Sequence, residues 1–186
     1  MSHLCFIDFN DTLFPSSLFL PCFRKDRFVA FPEEAKESLK QLDIALEAFF
    51  KQYITDIRFV IFTRSNQPWI AACLRYIPRT AKLIRWYIPI ILVTSPYSLT
   101  DHVGAWINQH TLPKEFTRIS CISKSDAAYA FEKEWWHKIF IKHFFCLKTF
   151  SQPSTETLID TWVYYTSEKD WIQTNRRSVH RHCVIE

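Results

Sequence analysis

Asp8 closes an apolar run, Leu4 to Ile7, and stands directly before a polar turn that holds Asn10, Asp11 and Thr12. A carboxylate displayed where a buried strand breaks is placed to act as a nucleophile. Asn10 is the oddity. A phosphate-handling site of this shape calls for a second acid two residues after the first, one that gives up and recovers a proton, and an amide cannot do that. Other apolar runs end in the same way: Ile57 to Phe62 on Thr63 and Ser65, Ile88 to Val93 on Thr94 and Ser95, and Arg118 to Ile122 on Ser123 to Asp126. The plain alternative is that loops following strands are polar because they meet water.

Those clusters need strands to carry them and helices to space them. Leu4 to Ile7 is short and bounded by polar residues, which fits a parallel strand buried on both faces. Pro32, Glu33 and Glu34 announce a helix, since proline suits the first turn and the acids suit the dipole. From there to Tyr53, Leu39, Leu42, Leu46, Phe49, Phe50 and Tyr53 fall on one stripe at helical spacing, as a core-facing helix requires. Helices are expected near Gln67 to Tyr76, Arg79 to Trp86, Thr100 to Gln109 and Asp126 to His137. A strand-like stretch follows from Ile139 to Phe150, and Ser154 is placed to cap a last helix through Trp171. Strands alternate with helices throughout, so the expected fold is α/β, a doubly wound, mostly parallel sheet with helices on both faces and no large cap domain. In an open sheet of this kind the working groups collect at the carboxyl ends of the strands, where Asp8 would sit.

The chain has 186 residues, 48% hydrophobic and 23% charged, which suits one globular domain with a full core. Residues 1–174 are expected to form it, with an aromatic and proline-rich flap over 13–31, and 175–186 to form a basic tail around Arg176, Arg177, His180, Arg181 and His182. The single glycine, Gly104, excludes a Walker loop and a G-x-G-x-x-G turn, which need several. Cys5, Cys22, Cys73, Cys121, Cys146 and Cys183 show no C-x-x-C pairing, so free thiols are expected and zinc is not. The longest apolar stretch, near Trp86 to Val93, is broken by Pro89 and too short to span a bilayer. With no leader-like segment at the N-terminus, a cytoplasmic protein is the expectation.

In this order the motifs resemble the haloacid dehalogenase-like (HAD-like) superfamily of phosphatases and related hydrolases, whose first motif is an apolar run followed by D-x-D-x-T. Ile7-Asp8-Phe9-Asn10-Asp11-Thr12-Leu13 matches it except at the second acid. Thr12-Leu13-Phe14-Pro15-Ser16 is similar to the T-L-x-P-S continuation of a branch seen among single-celled eukaryotes. Phe62-Thr63 followed by Trp69 resembles that branch's second motif, and Lys148 to Leu158 its closing strand and helix.

The resemblance implies that Asp8 is the nucleophile, that Thr63 contacts phosphate, and that Asn10 stands where the acid/base should be, a role worth ~10²–10⁴ in rate. Its backbone carbonyl matches a metal ligand of the family. Ile107, after Trp106, replaces a lysine of the related branch; Lys114 is a possible substitute, set too close to the fourth strand. Ser123-Lys124-Ser125 aligns with the family's acidic metal motif, so Lys124 would set an ammonium where Mg²⁺ is held. At ~4 Å and an effective dielectric of ~20, one unit charge against another is worth about 4 kcal/mol, and the divalent ion doubles it. Asp8 and Asp126 are the weak candidate metal ligands, with a helix cap the plainer role for Asp126. Lys124 could instead pair with Asp8 or with a bound phosphate.

The first functional reading is a catalytically degenerate phosphatase fold, a pseudophosphatase, that acts by binding a phosphorylated ligand or a protein partner, with no cofactor. The alternative is an active phosphohydrolase using Asp8, a non-standard acid/base and Mg²⁺. A third reading, nucleic-acid binding, rests on the cation and aromatic mixture from Lys133 to Lys148 and on the basic tail. Aromatic residues there, such as Trp135, Trp136 and Phe140, suit a core better than stacking platforms, which weighs against it.

Overall fold

The computed structural model describes residues 2–93, 105–106, 109, 116–123, 145–148, 154–167 and 180–183. A six-stranded sheet is assembled from β1 (Ser2–Asp8), β4 (Ile57–Thr63), β5 (Ile90–Leu92), β6 (Phe116–Ser123), β7 (Phe145–Lys148) and β8 (His180–Cys183). Its order is β5-β4-β1-β6-β7-β8, and every neighbouring pair is parallel. The chain therefore winds outward from β1 through β4 and β5, returns, and winds the other way through β6, β7 and β8. Such a reversal opens a crevice at the carboxyl ends of the strands around the turning point, here beside β1.

The central strands are apolar on both faces: Leu4, Cys5, Phe6 and Ile7 of β1 and Phe59, Val60, Ile61 and Phe62 of β4 are buried, as continuous hydrophobic runs in a parallel sheet require. The long helix α2 (Glu33–Tyr53) buries the expected stripe of Leu39, Leu42, Leu46, Phe49, Phe50 and Tyr53. It packs against α4 (Pro78–Tyr87) and α5 (Thr155–Ser167). Phe49, near its C-terminal end, has ring centroids 5.6 Å from Phe59 and 4.8 Å from Trp162. Between β4 and α4, α3 (Gln67–Leu74) starts at Asn66, whose side chain accepts the backbone N–H of Trp69 at 3.0 Å. Ser154 caps α5 by accepting the backbone N–H of Thr157 at 3.1 Å.

The segment expected to be an irregular flap has regular pieces. A four-residue helix α1 (Ser16–Phe19) leads through a 3₁₀ turn into a hairpin of β2 (Phe23–Arg24) and β3 (Arg27–Phe28). Lys25 and Asp26 make the turn with φ of 48° and 61°, the positive values that a two-residue hairpin of the I′ kind demands. The hairpin has two faces. Phe23 and Phe28, a register pair, turn inward onto Trp69 at 5.0 and 5.5 Å, and the next pair, Arg24 and Arg27, is exposed.

Two further differences concern strands. The third expected strand shortens to Ile90–Leu92, and part of the stretch read as a solvated basic tail, His180–Cys183, adds an edge strand alongside β7. The helix expected over Asp126 to His137, Lys114 and the nucleic-acid candidates Trp135, Trp136 and Phe140 lie outside the described residues. Among the described residues no large cap domain is present, and no helix is long and apolar enough to cross a membrane.

Candidate functional site

The site starts where β1 stops pairing. Phe9 still donates its N–H to Phe62 O at 3.1 Å, and the chain then curls back on itself: Leu13 N and Phe14 N both reach Phe9 O at 3.1 Å, and Asp11 N reaches Phe14 O at 2.7 Å. Asp11 holds this curl with φ of 52°, a left-handed conformation that aspartate tolerates better than most residues. Its buried carboxylate accepts the backbone N–H of Ser17 at 2.7 Å and the Ser17 hydroxyl as well. Asp11 is thereby committed to the start of α1.

Asp8 is half-buried at the strand end. Its Oδ1 accepts the backbone N–H of Asn10 at 3.3 Å, and its Oδ2 accepts the Ser123 hydroxyl, from the end of β6, at 3.3 Å. Two adjoining strand ends thus meet on one carboxylate. The third comes in through Thr63, the last residue of β4, which is buried.

Asn10 ties these parts together. Its Nδ2 donates to Thr63 Oγ1 at 3.3 Å and to Ser65 Oγ at 2.9 Å. Its Oδ1 lies 2.8 Å from Ser16 Oγ, 3.3 Å from Trp69 Nε1 and 3.1 Å from Ser65 Oγ. One half-buried amide therefore joins the loop after β1, the loop after β4, α1 and α3. Trp69 extends the link to the flap, because its ring also meets Phe14, Phe23 and Phe28.

Support comes from behind. Trp162 of α5, fully buried, donates its indole N–H to Thr12 O at 2.9 Å. Thr12 is itself fully buried, and its hydroxyl has no hydrogen-bond partner among the described residues. Farther out, Asp43 of α2 caps α4 across the fold: its carboxylate accepts the backbone N–H groups of Arg79 and Thr80 at 2.9 and 2.8 Å. That bond matters because Ile77, at the N-cap of α4, offers no side-chain acceptor. Cys5, Cys22 and Cys73 are free thiols, and burial pushes the Cys73 thiol well above its ordinary range.

Of the residues singled out in the sequence, Asp8, Asn10 and Thr63 come together at the strand ends. Thr12 is buried beneath them against α5, and Lys124, Asp126 and Ile107 lie outside the described residues. Ser16, Ser65, Trp69 and Ser123 complete the network, and their sequence signal was only their place in the motifs.

Mg²⁺ favours several hard oxygen ligands with carboxylates among them. The described donors at the strand ends are one carboxylate, Asp8, with hydroxyls and an amide, and no group of three His, Cys, Asp or Glu among the described residues could hold a metal ion. This donor set does not by itself fit Mg²⁺.

No protein-family model matches the chain, and no curated protein matches it. Among solved structures, the chain is similar to the HAD domain of the effector protein Lem4 from Legionella pneumophila. The inactive-mutant structure of that domain aligns with a TM-score of 0.51 at 12% identity, covering 90% of this chain and 95% of that one. Another structure of the same domain gives 0.44 at 11% identity over 89% and 96%. The fold defined by the sheet order and by the first of these matches is the HAD-like α/β fold. Fold does not fix activity.

Proposed function

We propose that this HAD-fold chain is a pseudophosphatase: a phosphatase framework that has lost efficient phosphotransfer and works by binding a phosphorylated ligand or a protein partner, without a resident metal. The observation that carries this reading is the state of Asn10. Its amide is held by Ser16, Ser65, Thr63 and Trp69, and an amide so fixed neither protonates a leaving group nor activates water. Ile107 and Lys124, by their places in the sequence, remove two further charges the chemistry needs. A lysine such as Lys124 can still bind phosphate as a point charge.

The T-L-x-P-S run from Thr12 to Ser16 is the sequence feature that supports placing the chain in the branch that carries it. The test is a phosphomonoesterase assay of the purified chain with Mg²⁺. Turnover that is abolished by Asp8→Ala would overturn the reading, and no turnover above the Asp8→Ala background is expected.

A second reading, an active phosphohydrolase, is favoured by one observation: Asp8 remains half-buried at a strand end, oriented by the Asn10 N–H and Ser123. It requires a covalent adduct on Asp8, which mass spectrometry after brief exposure to a panel of phosphoesters and haloacids would detect.

A further inference from the structure

We infer that the exposed end of α4 is a docking surface for a bilayer with anionic headgroups: Trp86 and Tyr87 enter the lipid interface, and Lys82 and Arg85 meet the headgroups.

From Ile57 to Val93 the chain contains no aspartate or glutamate, while Arg58, Arg64, Arg75, Arg79, Lys82 and Arg85 all fall within it. Three of these cations belong to α4. The helix buries Thr80 and Ile84 on its inner side, and Lys82, Arg85 and Trp86, exposed and spaced by three and four residues, share the outer one. Arg79, at the start of the helix, is tied to Glu47 of α2 at 3.0 Å. Lys82 and Arg85 form no ion pair among the described residues. Their charge is left for something outside the chain.

The helix ends on two rings that the core does not take. Trp86 is 68% exposed and Tyr87 67%, against 4% for Trp69 and 0% for Trp162. Exposed Pro89 follows, and Leu92, on the edge strand β5, is exposed as well. Trp and Tyr each combine an apolar body with a polar tip, which suits the headgroup level of a bilayer. Bordered by cations, such a pair has the composition of an interfacial anchor, and anionic lipid attracts each nearby Lys or Arg.

Two details favour lipid over other anionic partners. The Arg85 guanidinium lies over the Trp86 ring, 5.7 Å from its centroid, and so covers a face on which a nucleobase would stack. Its N–H groups are still available to a phosphate headgroup. The outer side of α4 also lacks an apolar seam, because Arg79, Lys82 and Arg85 precede Trp86. A helix that docks in a protein groove needs apolar anchors turn after turn.

Co-sedimentation of the full chain with vesicles tests this, using phosphatidylcholine alone or an equal mixture with phosphatidylserine. Binding is expected to the mixed vesicles only, and to fall as salt screens the charges. Lys82→Gln with Arg85→Gln is expected to weaken it about twentyfold. Trp86→Ala with Tyr87→Ala is expected to weaken it about tenfold and to keep the salt dependence. All four side chains are exposed, so these variants keep the fold. Arg24→Gln with Arg27→Gln, on the exposed face of the hairpin, is expected to bind close to wild type. An equal loss in that hairpin variant would mean that net charge alone holds the vesicles, which overturns the inference. Full affinity in the aromatic variant also overturns it, since a contact made by charge alone is the kind that nucleic acid or an acidic protein makes. So does a wild-type chain that ignores the mixed vesicles, whether or not it is retained on immobilised RNA or polyglutamate.

Discussion

The indole N–H of Trp69 meets the side-chain oxygen of Asn10 at 3.3 Å, while the same ring packs edge-on to Phe23 at 5.0 Å. One residue of α3 thus holds the floor of the site on its polar edge and the flap on its apolar faces. Trp69→Phe keeps most of the packing and loses the N–H, so a destabilisation of about 1 kcal/mol is expected. Trp69→Ala loses both and is expected to cost about 3–5 kcal/mol. Urea unfolding of the two variants separates the contributions.

Asn10→Asp restores the letter of the acid motif, yet no phosphatase activity is expected from it. The new carboxylate would accept the Thr63 and Ser65 hydroxyls that now receive an amide N–H, and the sequence would still lack the charges that the family resemblance expects at Ile107 and Lys124. A phosphomonoesterase assay with Mg²⁺ checks this; turnover in Asn10→Asp that Asp8→Ala abolishes would contradict it.

The sequence made some of this legible and hid the rest for physical reasons. β1, β4 and α2 are readable because burial on both faces of a strand, or on one stripe of a helix, prints a pattern over many residues. The hairpin Phe23–Phe28 is not, because two-residue strands carry no period and its turn uses Lys25 and Asp26 in place of the usual Asn-Gly. Asn10 is visible as a substitution, but its role is not: its partners Ser65 and Trp69 are 55 and 59 residues away along the chain. His180 to Cys183 reads as a charged terminus because a short strand at the sheet's edge needs little apolar content.

Asp43 is a buried acid in the middle of α2 whose two acceptor bonds serve α4. Asp43→Ala is expected to cost about 1–2 kcal/mol, as the loss of a helix cap does. Asp43→Asn, which keeps one acceptor oxygen, is expected to lose less. Chemical denaturation of both variants reads the difference.

Glu47 is held below its ordinary value of 4.5 by hydrogen bonds from Lys51 and then Arg79. A depressed carboxyl in the folded state stabilises above its unfolded value and ceases to do so as pH falls through the folded one. Glu47→Gln is therefore expected to be less stable than wild type near neutrality, by no more than ~1 kcal/mol because both of its cationic partners are exposed. The gap is expected to close as pH drops below the folded value. Melting temperatures of the two proteins across an acid series test the sign.

Lys25 has consequences beyond the hairpin. A lysine at φ of 48° occupies backbone space that costs an ordinary residue roughly 1–2 kcal/mol, and the turn has no glycine to relieve it. What keeps it there is Phe23 and Phe28 gripping Trp69 from the opposite face. The hairpin and the strand-end loop at Asn10 thus lean on a single indole, so the flap and the floor of the site share one support.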